Sequence, residues 1–252
     1  MKKEILEILE KANKPDRNIP PTLLYNEGWM LRTVLQQIKE KRINHPDLEF
    51  TDDGINWYSE ALLPTPFSVR KKGDNLCETR THADGIVGKF EIKKKGDLIL
   101  NDSCDFFYVI EAKMYSKLSS GTKNAKNFNQ AARTVACIAQ LIYNKQKTLQ
   151  IDNFKKLAFY VLLPAEQIDK EPTFKEFTDK ENIKHTIINR MSLYPPNDNN
   201  KKKIFDWITD NLDNYIDKID IKLITWEDLI ENSRDSTLEE FYDKCKYFNK
   251  KK

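Results

Sequence analysis

The sequence predicts an α/β protein with a mixed central β-sheet flanked by α-helices, and three observations lead there. Residues 106–113 read as an apolar strand, 127–144 as an amphipathic helix and 156–163 as a second apolar strand, a strand–helix–strand unit that returns to one sheet in parallel. The other strand patterns lie between helical stretches at the two ends of the chain. At 252 residues and 39% apolar content the chain can bury a sizeable core. One domain is expected over 1–252, with its core at about 20–165 and a C-terminal elaboration of helices and a strand at 166–252.

Each element has its own signal. Lys2–Ala12 sets Ile5, Leu6 and Leu9 on one face, which predicts a short helix. Pro20–Pro21 interrupts, and a second helix is expected from Thr22 to about Lys41, striped by Leu24, Leu31, Leu35 and Ile38 with Val34 beside them. Glu27 stands three residues after Leu24 and four before Leu31, so on that register its carboxylate falls on the buried face and needs a partner. Trp57–Leu63 reads as a strand stopped by Pro64. Thr79–Ile92 reads as a strand pair or one bent strand, with Gly85 and Gly88 as kinks. Phe106–Lys113 is a strand, apolar until its polar end. Ser116–Asn127 is a loop, followed by the helix that turns Phe128, Ala131, Ala132, Val135, Ile138 and Ile142 inward. Lys156–Leu163 is a buried strand ended by Pro164. Beyond it come helices near Thr173–Asp179 and Lys201–Asp217 and a strand at Ile219–Ile224. A helix opened by the capping box Thr225-x-x-Asp228 and a last helix over Thr237–Phe248 complete the chain.

Composition excludes several classes. The longest strictly apolar run, Leu157–Leu163, is far short of the ~20 residues that span a membrane. The start Met-Lys-Lys-Glu-Ile-Leu-Glu puts acids where a signal peptide needs an apolar stretch, so a cytoplasmic protein without a membrane partner is expected. Cys77, Cys104, Cys137 and Cys245 form no Cys-x-x-Cys pair and no disulfide framework. Charge is distributed unevenly. From Ala112 to Ile151 there is no acid, while Lys113, Lys117, Lys123, Lys126, Arg133, Lys145 and Lys147 give this stretch +7 in a chain of net +3. Such a band is either a surface that meets phosphates or an ordinary solvated lysine face.

Two segments carry the chemistry. At the end of the 106–113 strand, Val109, Glu111 and Lys113 share one face, and Tyr108, Ile110 and Ala112 the other. With 39 acids and 42 bases in the chain an acid-x-base spacing says nothing alone. What singles this one out is the apolar run before it, because a charge pair at a buried strand end must be matched or used. In Glu78-Thr79-Arg80-Thr81-His82-Ala83-Asp84, if extended, Glu78, Arg80, His82 and Asp84 share a face. That face is either a cleft wall or a solvated edge strand. Asp84 and Glu111 on neighbouring strands, with Lys113 adjacent, make a hard-oxygen site suited to Mg²⁺, with Mn²⁺ as substitute, beside a base.

These residues resemble the PD-(D/E)xK phosphodiesterase superfamily, the restriction-endonuclease-like fold. His82-Ala83-Asp84-Gly85 matches its first acid and Val109-Ile110-Glu111-Ala112-Lys113 its E-x-K half, although Ala83 stands where the name-giving proline would be. Asn129-Gln130-Ala131-Ala132-Arg133 is similar to the family's following helix, and Glu27 to the acid many members carry on their first core helix. Leu223–Asp228 is similar to a terminal strand and helix of some members.

The resemblance implies a Mg²⁺-dependent nuclease, with DNA as the expected substrate and restriction or antiviral defence as the common role, leaving 5′-phosphate and 3′-hydroxyl ends. Asp84, Glu111 and the Ala112 carbonyl would hold the metal, with Glu27 joining through water or a second ion. Lys113 would orient or deprotonate the attacking water, and Gln130 would position the cluster. Arg133, Lys126, Lys123 and Lys117 would meet the nucleic-acid backbone. His82 and Tyr115 are further contact candidates. A homodimer or a defence-system partner protein is compatible with this reading. Two alternatives stay open: a catalytically silent nucleic-acid-binding or scaffold subunit with the same fold, and a globular protein whose charge cluster is only a buried salt-bridge network.

Overall fold

The computed structural model describes residues 1–50, 52–69, 72–78, 81–94, 96–194 and 199–250, the last stretch without the side chains of 199–204. Its elements run α1 (Lys2–Glu10), α2 (Glu27–Lys39), β1 (Asn56–Leu63), β2 (Thr81–Gly88), β3 (Phe90–Ile92), β4 (Leu98–Leu100), β5 (Phe106–Ala112), α3 (Gln130–Tyr143) and β6 (Lys156–Leu163). They continue through α4 (Ala165–Lys170), α5 (Thr173–Thr178), α6 (Lys180–Ser192), α7 (Asn199–Lys218), β7 (Asp220–Thr225), α8 (Trp226–Glu231) and α9 (Ser236–Asn249).

β5 organises the rest because both its faces are apolar. Phe107 and Val109 enter one core; Tyr108, Ile110 and Ala112 enter the other. A strand greasy on both sides must be covered on both sides. The sheet order is accordingly β1-β2-β5-β6-β7, with β5 central, antiparallel to β2 and parallel to β6. β1 pairs antiparallel with β2, and β7 parallel with β6. Helices α3, α5, α6 and α7 pack on the Phe107/Val109 face, while α2, α8 and α9 pack on the Tyr108/Ile110 face. β3 and β4 form a separate hairpin. The expected α/β class with a mixed, helix-flanked sheet is therefore present, and among the described residues no helix is long and apolar enough to cross a membrane.

Two boundaries differ from the sequence reading for identifiable reasons. The second helix starts at Glu27, not Thr22, because Asn26 caps it: Oδ1 accepts from Trp29 N–H at 2.9 Å, and Nδ2 donates to the carbonyls of Thr22 and Leu23. Glu27 thus stands in the first turn, where a negative charge suits the helix dipole. The expected strand over 79–92 splits at Lys89 into β2 and β3, and its first two residues, Thr79 and Arg80, lie outside the described residues. Helix α4 and strand β4 have no counterpart in the sequence reading, which also gives α6 no bounds although the stretch around His185 reads as polar and helical. In α6 only Ile183, Ile187 and Arg190 are buried, too sparse a stripe to stand out.

Parity breaks once in the sheet, and the break matters. Ser59 bonds Arg32 of α2 and Trp57 packs in the α2 layer, yet Ala61 and Leu63, of the same parity, enter the α3 layer. β2 does the same: Gly85 and Val87 face α2, whereas Ala83 and Thr81 face α3. The ladder pairs Ser59 with Gly85 and Ala61 with Ala83 but leaves Glu60 and Asp84 unpaired between them. Glu60 is left-handed at φ +60°, a conformation that costs a non-glycine residue about 1–2 kcal/mol and re-aims the strand. Asp84 is set at this switch. Gly85 beside it lets α2 approach, since a Cβ there would lie 3.0 Å from Leu31 Cδ2.

Candidate active site

Past the Gly85–Ile110 pair, β2 and β5 diverge, and side chains fill the gap. Lys113 N–H donates to Leu162 O at 2.8 Å, so in the parallel ladder residue 112 turns its own N–H and C=O away from β6, toward β2. Asp84 Oδ2 accepts that Ala112 N–H at 2.8 Å. Glu111 points to the α3 face with only 3% of its surface exposed. There it is paired with Lys113, itself 8% exposed, and accepts from Gln130 Nε2 at 2.5 Å. The Asp84 and Glu111 carboxyls lie within hydrogen-bonding reach of each other.

The α3 N-terminus fixes Gln130. Asn129 caps the helix, its side chain accepting from Ala132 N–H at 2.9 Å. Gln130 is clamped to the basic loop: its N–H donates to Ser119 O at 2.8 Å and its Oε1 accepts from Ser119 N–H at 3.1 Å. The Lys113 carbonyl accepts from Trp226 Nε1–H at 2.9 Å. Loop 116–129 and α8 therefore hold the cluster from two sides. The structure brings Asp84, Glu111, Ala112, Lys113 and Gln130 together.

Electrostatically the cluster is short of positive charge. Burial first, and the neighbouring Asp84 carboxylate second, push the Glu111 carboxyl up to about 8, against the pull of Lys113. Two carboxyls in contact need a proton or a cation between them. Among the described residues no group of three or more His, Cys, Asp or Glu is arranged to hold a metal. The donor set is two carboxyls and a main-chain carbonyl, poor for zinc and suited to Mg²⁺, which takes one or two carboxylates and keeps its waters.

Other expected site residues are placed differently. Glu27, half-buried at the start of α2, has no side-chain hydrogen bond or ion pair to any described residue; it stands four residues before the buried Leu31 on the α2 register, while Leu24 falls outside the helix. Arg133 is not free to meet a backbone: Nε donates to Glu78 Oε1 at 3.1 Å and Nη2 to Phe128 O at 2.8 Å, with both side chains buried. Glu78 does not share a cleft face with Asp84; it lies outside β2, beneath Arg133. Tyr115 is committed to packing, its left-handed turn (φ +67°) sending its OH to Glu166 at 2.6 Å and its N–H to Gln167 Oε1. Lys117 is exposed and paired with Glu171. His82, Lys123, Gln130 and Arg133 line one cleft of about 410 Å³, which shares Gln130 with the cluster and is not lined by Asp84, Glu111 or Lys113.

Three supporting groups escaped the sequence reading. Ser119 acts through its backbone, which carries no residue-type signal. Trp226 lies inside the legible capping box, right after its cap Thr225, yet its partner lies 113 residues away. Arg190, discussed below, looks like any arginine of a polar helix. Compared with protein-family models, with curated proteins and with solved structures, the chain finds no match in any of the three.

Proposed function

We propose that this chain is a divalent-metal-dependent phosphodiesterase that cleaves nucleic acid. The observation that carries the reading is the meeting of Asp84, Glu111, Lys113 and Gln130 where β2 and β5 part. The order helix, three antiparallel strands, helix, parallel strand over α2-β1-β2-β5-α3-β6, with the β3–β4 hairpin inserted, supports a restriction-endonuclease-like fold.

Asp84, Glu111 and the Ala112 carbonyl would hold the ion, which when bound acidifies water and neutralises charge on a phosphoryl group. The chain's residues supply the rest. Gln130 fixes the Glu111 carboxylate, leaving its other oxygen for the ion. Lys113 keeps its ammonium beside that carboxylate, where it can take the proton of an attacking water once deprotonated, or steady the negative charge that develops as a phosphate is attacked. Lys123 on the cleft rim offers a contact to the substrate backbone.

Incubation with plasmid and with single- and double-stranded DNA and RNA oligonucleotides, in Mg²⁺, Mn²⁺ or EDTA, tests this. Cleavage should need the metal and vanish in Asp84→Asn. Folded protein that binds nucleic acid without cutting it under any condition points instead to a silent binding subunit, a reading that the saturated Glu111–Lys113 pair also accommodates.

A further inference from the structure

Behind the basic loop lies a second cavity of about 560 Å³, separated from the Gln130 cleft by a wall that includes Lys123 and Asn124. Its described lining contains Lys123, Lys126 and Arg190, with amide and hydroxyl side chains and no acid. Arg190, in the last turn of α6, is 3% exposed. Nη2 donates to Leu76 O, and the guanidinium sits over the rings of Phe67 and Tyr194 at 5.3 and 5.5 Å. Nε and Nη1, both buried, have no hydrogen-bond partner, and no described acid pairs with this arginine. The neighbouring Glu78 carboxyl, on which the Arg190 charge acts, is held by Arg133, and its Oε2 is itself unpartnered. Among the described ion pairs the two buried guanidiniums have one carboxyl between them, that of Glu78, and Arg190 lies in the lining of a cavity with cationic walls. A buried cation without its counter-charge is costly, and an anion relieves it.

From this we infer that the cavity binds a phosphate monoester, its phosphoryl group above Arg190 and between Lys123 and Lys126. The volume lies within the range of small-molecule sites, and the exposed lysines give the charged group a way in. The same phosphoryl chemistry is offered by a free nucleotide and by a phosphorylated strand end. The site does not depend on the Asp84 cluster or on the reaction proposed for it.

Calorimetry and thermal melting in EDTA, with inorganic phosphate, adenosine 5′-monophosphate and adenosine as probes, test the inference. Phosphate and the monophosphate should bind and raise Tm, and adenosine should not. Asp84→Asn should bind as wild type does, whereas Arg190→Met should lose affinity by at least roughly 10-fold. Without phosphate, Arg190→Met should melt no lower than wild type, because it removes an unpaired buried charge. Should that variant fail to fold, the exposed pair Lys123→Gln/Lys126→Gln provides the same comparison, and its affinity should fall. A 5′-phosphorylated oligonucleotide that outcompetes its 5′-hydroxyl form identifies a strand end as the source; equal competition identifies a free nucleotide. The inference fails if neither phosphate probe binds at about 10 mM, or if binding survives the Arg190 and lysine substitutions, or if Asp84→Asn abolishes it.

Discussion

Two buried charge clusters lie on the α3 side of the sheet, with opposite imbalances. At the end of β5, Asp84 and Glu111 face one lysine. Beneath α3 and α6, Arg133 and Arg190 face one glutamate, Glu78. The first is built to accept positive charge and the second negative charge, within one hydrophobic layer. Neither imbalance serves stability, since a buried ion is tolerated only when matched. The difference is also one of support: the acidic cluster has hydrogen-bond partners for its buried oxygens, while the basic one leaves Glu78 Oε2 and two Arg190 nitrogens bare.

Removing the single acid of the basic cluster should have the largest effect on the fold. Glu78→Ala strands both guanidiniums and is expected to cost about 3–5 kcal/mol, read by urea denaturation. An unchanged midpoint would show that the two arginines are solvated and the contrast is false. In the acidic cluster the effect should appear in turnover instead. Lys113→Ala is expected to cut cleavage by ~10²-fold or more, about 2.7 kcal/mol of barrier, while the protein stays folded and binds DNA. Loss of folding there would favour the salt-bridge alternative.

Proton linkage separates the clusters further. Glu111 keeps a proton in the folded state that the unfolded chain releases near its ordinary value of 4.5. Its contribution to metal-free stability is therefore complete below about 4.5 and is lost as pH rises through about 8. Melting curves of the EDTA-treated protein should show this fall between pH 5.5 and 8.5 on the scale of that window, and Glu111→Gln should flatten it. The rise in Tm produced by added Mg²⁺ should grow across the same range, because the ion prefers the ionised carboxyl. A pH-independent response to Mg²⁺ would remove Glu111 from the metal site. The smallest effect concerns the frame: Asn129→Ala deletes the α3 cap and should cost about 1 kcal/mol. Activity that falls much further than this small loss of stability explains would mean that the cap also sets Gln130.

How much of this was legible in the sequence depended on the range of the interaction. β5 and β6 could be read almost residue for residue, since an apolar run bounded by polar residues and proline is a local signal. The alternation that joins Glu111 and Lys113 on one face is likewise local. β2 resisted because its parity is broken by Glu60, a residue on the neighbouring strand whose left-handed turn has no glycine or asparagine to announce it. The second helix was started five residues too early, which put Leu24 in its stripe, although Asn26, a good capping residue, stands immediately before Glu27. The acid-free band was correctly seen as basic, but composition could not separate Lys123 and Lys126, on cavity walls, from Arg133, which is buried and paired.

The bond from Trp226 to the Lys113 carbonyl also has a consequence for synthesis. A growing chain carries Asp84, Glu111 and Lys113 long before the ribosome reaches Trp226, and Lys250, which pairs with Glu166 and covers the Tyr115 ring, comes later still. Until those residues emerge, the turn after β5 lacks two of its anchors. The bonds that join Asp84, Glu111, Lys113 and Gln130 all lie within residues 84–162, whereas the carbonyl bond and the Tyr115 cover that hold the turn after β5 arrive only with Trp226 and Lys250.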